Sequence, residues 1–358
     1  MGDNGALNIP YRTLYDGGRI PGIGFGTFGS DHAEPGLVAA AAAGALRCGY
    51  RLLDCASVYG NEDKIGAVLE SAFTAGGVTG AAGGATGGAA VSDAGAAGCQ
   101  AECGALSRED VFVMSKVWND MHGRGDVLLS LAKTLKDLRL DYVDAFFVHW
   151  PFPNYHPPGC DGDTRNPDSQ PFSADGFMSV WKQMERVSDM GLARYIGMSN
   201  MTVKKLDAVL PLCRVKPALI EMELHPAFQQ PELFDYCVRR GIVPVGYCPL
   251  GSPNRPERDR TPEDADPMRM PEVLEIAAAR GIHPAQVCLK WAARRGQIPI
   301  PFSVNEKNYA SNLRCVAEDP LTDAEMAKIA AADKNCRLIK GQVFLWEGAD
   351  RWEELWDE

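Results

Sequence analysis

The sequence predicts one closed (β/α)8 barrel, the fold known as the TIM barrel, and three observations support it. Short apolar runs alternate with helical segments through most of the 358 residues. The runs are continuously apolar, which is typical of parallel strands that are covered on both faces. Eight strand–helix units can be counted in about 300 residues, which favours a closed barrel over an open sheet.

The chain starts with an element that lies outside this repeat. Residues 11–14 and 19–20 flank a turn at Asp16, Gly17 and Gly18, and we expect a hairpin that closes the bottom of the barrel. The first barrel strand is predicted over residues 23–27. The other seven are predicted over residues 51–54, 111–115, 142–148, 194–198, 217–222, 242–247 and 298–300.

Helices follow these strands. The first is alanine-rich and covers residues 35–48, and Thr202 is expected to cap the helix after strand 194–198. The other predicted helices cover residues 62–73, 125–138, 174–190, 231–240, 271–280, 284–295, 306–315 and 322–332. An aromatic-rich tail, residues 333–358, is expected to lie over the active-site face.

Residues 75–105 interrupt the pattern with a tract of mostly Gly and Ala. Such a segment buries too little apolar surface to offset its ordering entropy, so we predict a flexible surface loop. The same strand–helix pattern continues on both sides of the tract. We therefore interpret it as an insertion into one domain that spans residues 1–358.

Charge and composition exclude several classes of protein. The net charge is -11, and no dense Lys/Arg run supplies a basic face for nucleic acid. No apolar run is long enough to cross a bilayer, and the N-terminus lacks a signal-peptide pattern, so we expect a cytoplasmic protein. The 11 cysteines form no CxxC pair, which predicts reduced thiols and no metal site.

Polar residues stand where the predicted strands end. In a barrel, such residues face the active site. They are Asp54, Lys116, His149, Ser199 with Asn200, Glu221, Tyr247 and Ser303, with Tyr59 five residues beyond Asp54.

Four of these residues form a set that is suited to carbonyl reduction. An adjacent ammonium stabilises a phenolate, so Lys116 is expected to lower the pKa of Tyr59 and make it a better proton donor. Asp54 would keep the lysine charged and in place. His149 could orient a carbonyl oxygen beside the phenol or relay its proton.

The motifs around these residues resemble the aldo-keto reductase superfamily. They are 21–27 (PGIGFGT), 49–62 (GYRLLDCASVYGNE), 115–118 (SKVW), 148–151 (VHWP), 195–200 (YIGMSN) and 247–251 (YCPLG), within a likeness that runs over residues 11–312. The resemblance implies NAD(P)H-dependent reduction of aldehydes or ketones. It also implies that Asp54, Tyr59, Lys116 and His149 are the catalytic tetrad, with Tyr59 the general acid.

The resemblance further implies a site for NADPH. The matching residues are Gly26 and Thr27 beside the cofactor, Ser199, Asn200 and Glu221 at the nicotinamide carboxamide, Tyr247 stacked on the nicotinamide ring, Leu250, Gly251 and Ser252 over the pyrophosphate, and Ser303 and Asn312 at the adenosine.

Three positions depart from the family pattern. Glu221 replaces the usual Gln and, when charged, would favour the cationic oxidised nicotinamide. Phe302 and Asn308 replace a Lys and an Arg that bind the 2′-phosphate, so NADPH is expected with reduced discrimination against NADH. Cations that could substitute are Lys307, Arg255, Arg258 and Arg260.

Aromatic residues are the candidates for a substrate pocket. Phe28, Trp118 and Trp150 follow predicted strands, and Trp346 lies in the tail with Phe344, Trp352 and Trp356. The tail aromatics could close the pocket or only dock the terminus, and both alternatives stay open. A dry aromatic pocket would favour apolar aldehydes over sugars.

Two other classes of protein compete with the reductase. A nicotinamide-binding sensor or regulatory subunit would retain much of the same site. A Schiff-base aldolase would use the strand-end lysine, but Asp54 beside Lys116 raises the lysine pKa when an amine nucleophile needs it lowered. We expect a monomer that acts on a small carbonyl compound.

Overall fold

Eight parallel strands form one sheet in which each strand pairs with the next along the chain. The structure is a computed structural model that describes residues 7–29, 32–74, 106–154, 166, 168–253, 255 and 260–358. The strands of the sheet are β3 (Phe25–Gly26), β4 (Leu52–Asp54), β5 (Phe112–Val117), β6 (Val143–Val148), β7 (Ala193–Ser199), β8 (Leu219–Glu223), β9 (Val243–Tyr247) and β10 (Ile298–Pro299). The predicted barrel is confirmed.

Backbone hydrogen bonds join the two ends of this sheet. The amide of Gly24 donates to the carbonyl of Pro299, and the amide of Gly26 donates to the carbonyl of Pro301, each over 3.0 Å. Because residues 24–26 and 299–301 flank or form β3 and β10, these bonds close the sheet into a barrel, which leaves the strands without an open edge there.

The predicted hairpin is also present. Strands β1 (Tyr11–Thr13) and β2 (Arg19–Pro21) pair antiparallel. Leu14 and Ile20 are buried in the same apolar cluster as barrel residues such as Leu52, Met114 and Val245. The hairpin therefore covers the barrel interior at the end opposite the strand C-termini.

Ten helices surround the barrel in the described part of the chain. They are α1 (Pro35–Cys48), α2 (Glu62–Thr74), α3 (Asp126–Leu138), α4 (Ala174–Asp189), α5 (Val203–Val209), α6 (Pro231–Val238), α7 (Pro271–Arg280), α8 (Pro284–Arg295), α9 (Glu306–Ala317) and α10 (Asp323–Ala330). The apolar faces of α1–α6 and α9 share one core with the outer face of the sheet, and α7, α8 and α10 pack together in a second apolar cluster. Thr202 caps α5 as predicted, since its side chain accepts a hydrogen bond from the amide of Lys205.

The C-terminal tail lies over the strand ends through an aromatic cluster. Phe344, Trp356 and Leu345 of the tail pack with Trp150 and Phe152, which follow β6. The guanidinium of Arg337 lies 3.6 Å from the centre of the Trp356 ring, a cation–π contact.

Two other expectations have separate outcomes. The predicted flexible insertion, residues 75–105, lies outside the described residues. The expectation of reduced thiols is wrong for Cys48, which is disulfide-bonded, whereas Cys55, Cys213, Cys237, Cys248, Cys288, Cys315 and Cys336 are free.

Within the described ranges, no helix combines the length and the apolar character needed to cross a bilayer.

Candidate active site

A buried lysine stands at the centre of the residues that the sequence predicts to be catalytic. Lys116 lies on β5 and its side chain is fully buried. Its Nζ lies 2.5 Å from Asp54 Oδ1 and 3.4 Å from the Tyr59 hydroxyl, and it donates to the carbonyl of Cys55 over 3.1 Å. The structure thus brings three of the four predicted tetrad members into direct contact.

The local fold explains this meeting. Asp54 is the last residue of β4 and pairs in register with Met114 of β5, so Lys116 lies two residues further along the neighbouring strand, on the same face. Tyr59 ends a short 3-10 turn, Ser57–Tyr59, which Gly60 terminates in the left-handed conformation at φ 65°. The Ser57 hydroxyl donates to the carbonyl of Lys116 over 3.2 Å, which fixes the turn against β5.

Burial and charge set the protonation states of this group. Burial disfavours the ammonium, but Asp54, Glu221 and Tyr59 outweigh it and raise the pKa of Lys116 well above its ordinary value. Burial raises the pKa of Tyr59 more than the Lys116 charge lowers it. The expected net lowering of the Tyr59 pKa is therefore wrong for this structure, although the ammonium acts in the expected direction. Tyr59 is a protonated phenol at neutral pH, as a proton donor must be.

His149 completes the predicted tetrad. Its ring centre lies 5.9 Å from that of Tyr59 and 4.9 Å from that of Trp118, edge to face in both cases. Burial and the Lys116 charge hold the pKa of His149 well below its ordinary value, so the imidazole is neutral. A neutral ring can hold an oxygen atom by a hydrogen bond without adding charge to the site.

Beside the tetrad, β7, β8 and β9 present the predicted carboxamide group of residues. The Tyr247 hydroxyl donates to Asn200 Oδ1 over 2.6 Å, and Asn200 Nδ2 donates to the carbonyl of His149 over 2.9 Å. Ser199 pairs in register with Glu221. Ser199 Oγ and Glu221 Oε2 are buried, and neither has a hydrogen-bond partner among the residues that the structure describes.

These two atoms fit a nicotinamide carboxamide. A carboxamide carries both a donor and an acceptor, and buried polar atoms ordinarily have partners. Ser199 Oγ would form a hydrogen bond with one end of the carboxamide, its oxygen or its nitrogen, and Glu221 Oε2 would form one with the other end. The chemistry of the two atoms therefore agrees with the family-implied cofactor.

The first strand and the loop after β9 contribute the other predicted cofactor residues. The Thr27 hydroxyl donates to the carbonyl of Asp54 over 2.8 Å, which places Gly26 and Thr27 next to the tetrad. Leu250, Gly251 and Ser252 form a tight turn in which Gly251 N donates to the carbonyl of Cys248 over 2.8 Å. Gly251 and Ser252 adopt positive φ, at 79° and 44°.

The predicted adenosine end lies at the start of α9. The Ser303 hydroxyl accepts hydrogen bonds from the amide of Asn305 and from Asn308 Nδ2, over 3.1 and 3.3 Å. Asn312 is buried on the same helix. Phe302 is half-buried and its ring lies 6.1 Å from that of Phe25, so the residue packs on the apolar core.

The cations proposed as substitutes for the missing phosphate ligands differ in their surroundings. Arg255 forms an ion pair with Asp264 and donates to the carbonyls of Gly251 and Ser252. Arg260 donates to the carbonyl of Arg255. Arg258 lies outside the described residues. Lys307 is exposed in the first turn of α9, close to Ser303 in the chain.

The aromatic residues divide between the two roles considered for them. Phe28 is 51% exposed and its ring lies 4.9 Å from that of Tyr59, at the mouth of the site. Trp118 contacts both His149 and Phe344. Trp150 lies beneath the tail, 4.7 Å from Phe344 and 5.6 Å from Trp356 between ring centres. Phe344 and Trp356 dock the tail, and Trp346 and Trp352 are half-buried beside them.

One residue that holds the tail is missed by the sequence. Strand β8 extends to Glu223, one residue beyond the predicted end at Met222, because Glu223 pairs in register with Tyr247. The buried Glu223 carboxylate accepts from the amides of Leu338 and Ile339 over 2.8 and 2.9 Å. His225 Nε2 lies 2.9 Å from the same carboxylate. In the sequence, the only sign of this role is that Glu223 is a second ionisable residue near the end of the strand, two residues after Glu221.

Comparison with known proteins gives consistent results over nearly the whole chain. A model of the "Aldo/keto reductase family" matches residues 22–334. The chain is 37% identical over 356 residues to "Aldo/keto reductase slr0942" of Synechocystis, covering 98% of this chain and 97% of that protein. It is 38% identical over 336 residues to aldo-keto reductase family 1 member A1 of Xenopus tropicalis, covering 93% and 92%.

A solved structure agrees with the fold. The crystal structure of a Bombyx mori aldo-keto reductase in complex with NADP superimposes with a TM-score of 0.74 at 28% identity. The alignment covers 93% of this chain and 96% of that one.

Proposed function

Because the chain belongs to the aldo/keto reductase family, we propose that it reduces aldehydes and ketones to alcohols with NADPH, and that Tyr59 is the general acid. The observation that carries this proposal is the contact of the Tyr59 hydroxyl with the Lys116 ammonium at 3.4 Å. Asp54 holds that ammonium from its other side at 2.5 Å. Lys116 therefore contacts Asp54 and Tyr59 at the same time.

The residues divide the reaction between them. When bound, a reduced nicotinamide would supply the hydride for the carbonyl carbon. As the C=O bond opens, Tyr59 gives its proton to the oxygen, so that an alcohol forms and a phenolate remains. Lys116 stabilises that phenolate, and the neutral His149 holds the substrate oxygen by a hydrogen bond. The phenolate then regains a proton from water.

NADPH is the proposed cofactor, with NADH as a weaker alternative. A related structure was crystallised with NADP, and Ser199 and Glu221 each leave a buried polar atom that suits a carboxamide. Phe302 and Asn308 carry no charge, so the 2′-phosphate would be held by fewer cations than the family pattern implies. Lys307 is an exposed cation in the first turn of α9, close to Ser303 in the chain.

The proposed substrates are apolar, preferably aromatic, aldehydes. Phe28 beside Tyr59 and Trp118 beside His149 give the site an aromatic lining, and we propose that Trp150 and Trp346, which pack in the same tail cluster as Trp118, extend it. Such a surface excludes water and offers few hydrogen-bond groups to a sugar hydroxyl. We further propose a cytoplasmic monomer, because members of this family with the same chain plan are commonly cytosolic monomers.

A panel of carbonyl compounds tests the proposal. Turnover is followed as loss of the reduced nicotinamide absorbance with 4-nitrobenzaldehyde, aliphatic aldehydes, ketones and aldose sugars. We expect the aromatic aldehyde to be reduced with the highest kcat/KM. Tight NADPH binding without turnover of any of these compounds would instead favour a sensor subunit.

The same site also allows a test for the aldolase alternative. The pKa of Lys116 is raised and its Nζ is fully enclosed by Asp54, Cys55, Tyr59 and Glu221, so a neutral amine nucleophile is disfavoured. Borohydride treatment in the presence of a carbonyl substrate should leave the mass of the protein unchanged. A covalent adduct on Lys116 would contradict the reductase assignment.

A further inference from the structure

We infer that Glu221 senses the oxidation state of the nicotinamide, binding the reduced ring as a neutral acid and the oxidised, cationic ring as a carboxylate. The inference rests on the proposed function, because it requires a nicotinamide at this site. It adds to that function a pH-dependent preference between the two forms of the cofactor. The replacement of the family's Gln by Glu is what gives this chain the property.

The first argument is the balance of charge around Lys116. Two carboxyl groups face this one ammonium, Asp54 at 2.5 Å and Glu221 at 3.5 Å. One cation balances one carboxylate, and a second buried carboxylate beside the first repels it. The shorter contact assigns the charge to Asp54. Glu221 is therefore the group of the pair that holds a proton near neutral pH.

The second argument is that one oxygen of Glu221 has no partner. Oε1 faces Lys116, whereas Oε2 is buried and has no hydrogen-bond partner in the described part of the chain. Ser199 pairs in register with Glu221, and its Oγ is likewise buried without a hydrogen-bond partner among the described residues. A protonated carboxyl can donate or accept, like the amide it replaces, so the neutral form suits a carboxamide without adding charge.

The other groups around Glu221 do not supply a second cation. Asp54 on β4 and Lys116 on β5 face it across the barrel. Among the described residues, Tyr59, Tyr247 and Cys248 also interact with it, and each is neutral near pH 7 because burial raises the pKa of its phenol or thiol. Burial and the nearby Asp54 charge, opposed by Lys116, raise the pKa of Glu221 to about 8.

The consequence for binding has a definite sign. Below the Glu221 pKa the Glu221 side chain is a neutral acid, so the uncharged dihydronicotinamide would bind beside a group without charge. Above it the carboxylate attracts the positive ring of NADP+. The two equilibria are linked, so NADP+ must lower the Glu221 pKa by the same factor by which ionisation tightens NADP+ binding.

Cofactor binding across pH tests the inference. The Kd values of NADPH and NADP+ are measured by quenching of protein tryptophan fluorescence from about pH 6 to about pH 10. We expect the ratio Kd(NADP+)/Kd(NADPH) of the wild-type protein to fall at least about tenfold across this range, which corresponds to a difference of one unit in the pKa of Glu221 between the complexes. Ionisation of the 2′-phosphate is common to both cofactors and cancels in the ratio.

Glu221→Gln is the matched control, because it keeps the shape and removes the titration. We expect the ratio to be independent of pH in this variant. A flat ratio in the wild-type protein, or an equal slope in both proteins, would overturn the inference and leave the reductase proposal intact. Failure of wild type to bind either nucleotide would overturn the reductase proposal itself.

A measurement on the wild-type protein alone covers the case in which the variant does not fold. Calorimetric titrations in buffers with different ionisation enthalpies give the number of protons released on binding. At about pH 7 we expect NADP+ to release more protons than NADPH, by about 0.4 per site for a one-unit difference in the Glu221 pKa between the two complexes. Equal proton release for the two nucleotides would contradict the role of Glu221.

Discussion

The Tyr59 hydroxyl lies 3.4 Å from Lys116 Nζ, and the lysine is fully buried between this phenol and Asp54. Burial raises the pKa of the phenol more than the ammonium lowers it, so the proton stays on Tyr59 in the resting site, where a neutral phenol interacts only weakly with the ammonium. The full effect of the ammonium is felt when the proton leaves, since a phenolate at this distance gains a strong interaction with the ammonium. The arrangement favours the charge that forms during the reaction over the one present before it.

Tyr59→Phe is expected to abolish reduction while NADPH binding is retained. The variant removes only the hydroxyl that donates the proton, so kcat should fall by about 10² to 10⁴, and the Kd of NADPH should change less than threefold or so. Tyr15→Phe, at an exposed tyrosine after β1, is the matched control and should have wild-type activity. Substantial turnover by Tyr59→Phe would mean that another group supplies the proton.

Each of the two carboxyl groups at Lys116 is expected to compensate for loss of the other in the free energy of unfolding. Asp54→Asn alone leaves Glu221 at 3.5 Å as counter-ion, so the loss in the free energy of unfolding should be about 1–3 kcal/mol. In a Glu221→Gln background the same change leaves the ammonium with no carboxylate partner, and its cost should rise to about 3–5 kcal/mol. A double-mutant cycle by urea denaturation measures the difference. Strict additivity would contradict this compensation.

Asn308→Arg is expected to sharpen the preference for NADPH. Asn308 is exposed and bonded to Ser303 at the start of α9, and an added guanidinium there can pair with a 2′-phosphate. The ratio of kcat/KM for NADPH to that for NADH should rise about tenfold, the effect of one charged hydrogen bond. Asn308→Gln is the uncharged control and should leave the ratio unchanged. An equal gain for both cofactors would exclude a contact with the 2′-phosphate.

Local sequence signals predict the framework because each one acts over a few residues. Helices α7 and α8 have the predicted bounds, since both start with a proline and both end at a glycine, Gly281 or Gly296, in the left-handed conformation. The tetrad and carboxamide residues could likewise be placed from their positions near strand ends. In a barrel, that position alone brings distant parts of the chain together.

What the sequence could not predict depends on burial in three dimensions. The sign of the net pKa shift at Tyr59 results from desolvation opposing a nearby charge, and neither quantity can be read from spacing. The role of Glu223 required knowing that the tail returns to place Leu338 and Ile339 against it. The role of Trp356, docking the tail or lining a pocket, also depended on the path of the tail, which places its ring against the guanidinium of Arg337.

Glu325→Gln is expected to remove a pH-dependent part of the stability. Hydrogen bonds from Arg280, opposed by burial and aided by Thr322, lower the pKa of Glu325 to about 2. A depressed pKa stabilises the fold above the unfolded value of about 4.3, and this contribution is lost as the pH falls toward 2 or so. The variant should therefore be less stable than wild type by about 1–3 kcal/mol at neutral pH.

Urea denaturation at several pH values checks this dependence. The stability gap between wild type and Glu325→Gln should be constant above about pH 5 and should shrink between about pH 4 and pH 2. Glu232→Gln, at an exposed glutamate of α6, serves as control. A gap that stays constant down to the lowest pH would show that the Arg280 contact does not shift the titration.

Phe344→Ala is expected to weaken the binding of apolar aldehydes without removing the chemistry. Phe344 lies 4.7 Å from Trp150 and 5.7 Å from Trp118 between ring centres, and Trp118 contacts His149. Truncation leaves space beside Trp118, so the aromatic surface near the tetrad loses its support. The KM for aromatic aldehydes should rise about tenfold, equivalent to about 1.4 kcal/mol of lost apolar contact, while kcat changes little.

Phe73→Ala, a half-buried phenylalanine near the end of α2, is the matched control for general destabilisation and should leave KM unchanged. The tail itself should stay in place in the Phe344 variant, because Glu223 still accepts from Leu338 and Ile339 and Lys205 still pairs with Asp357 at 2.6 Å. A fall in kcat with unchanged KM would place Phe344 in the support of the tetrad. That result would separate tail docking from substrate binding.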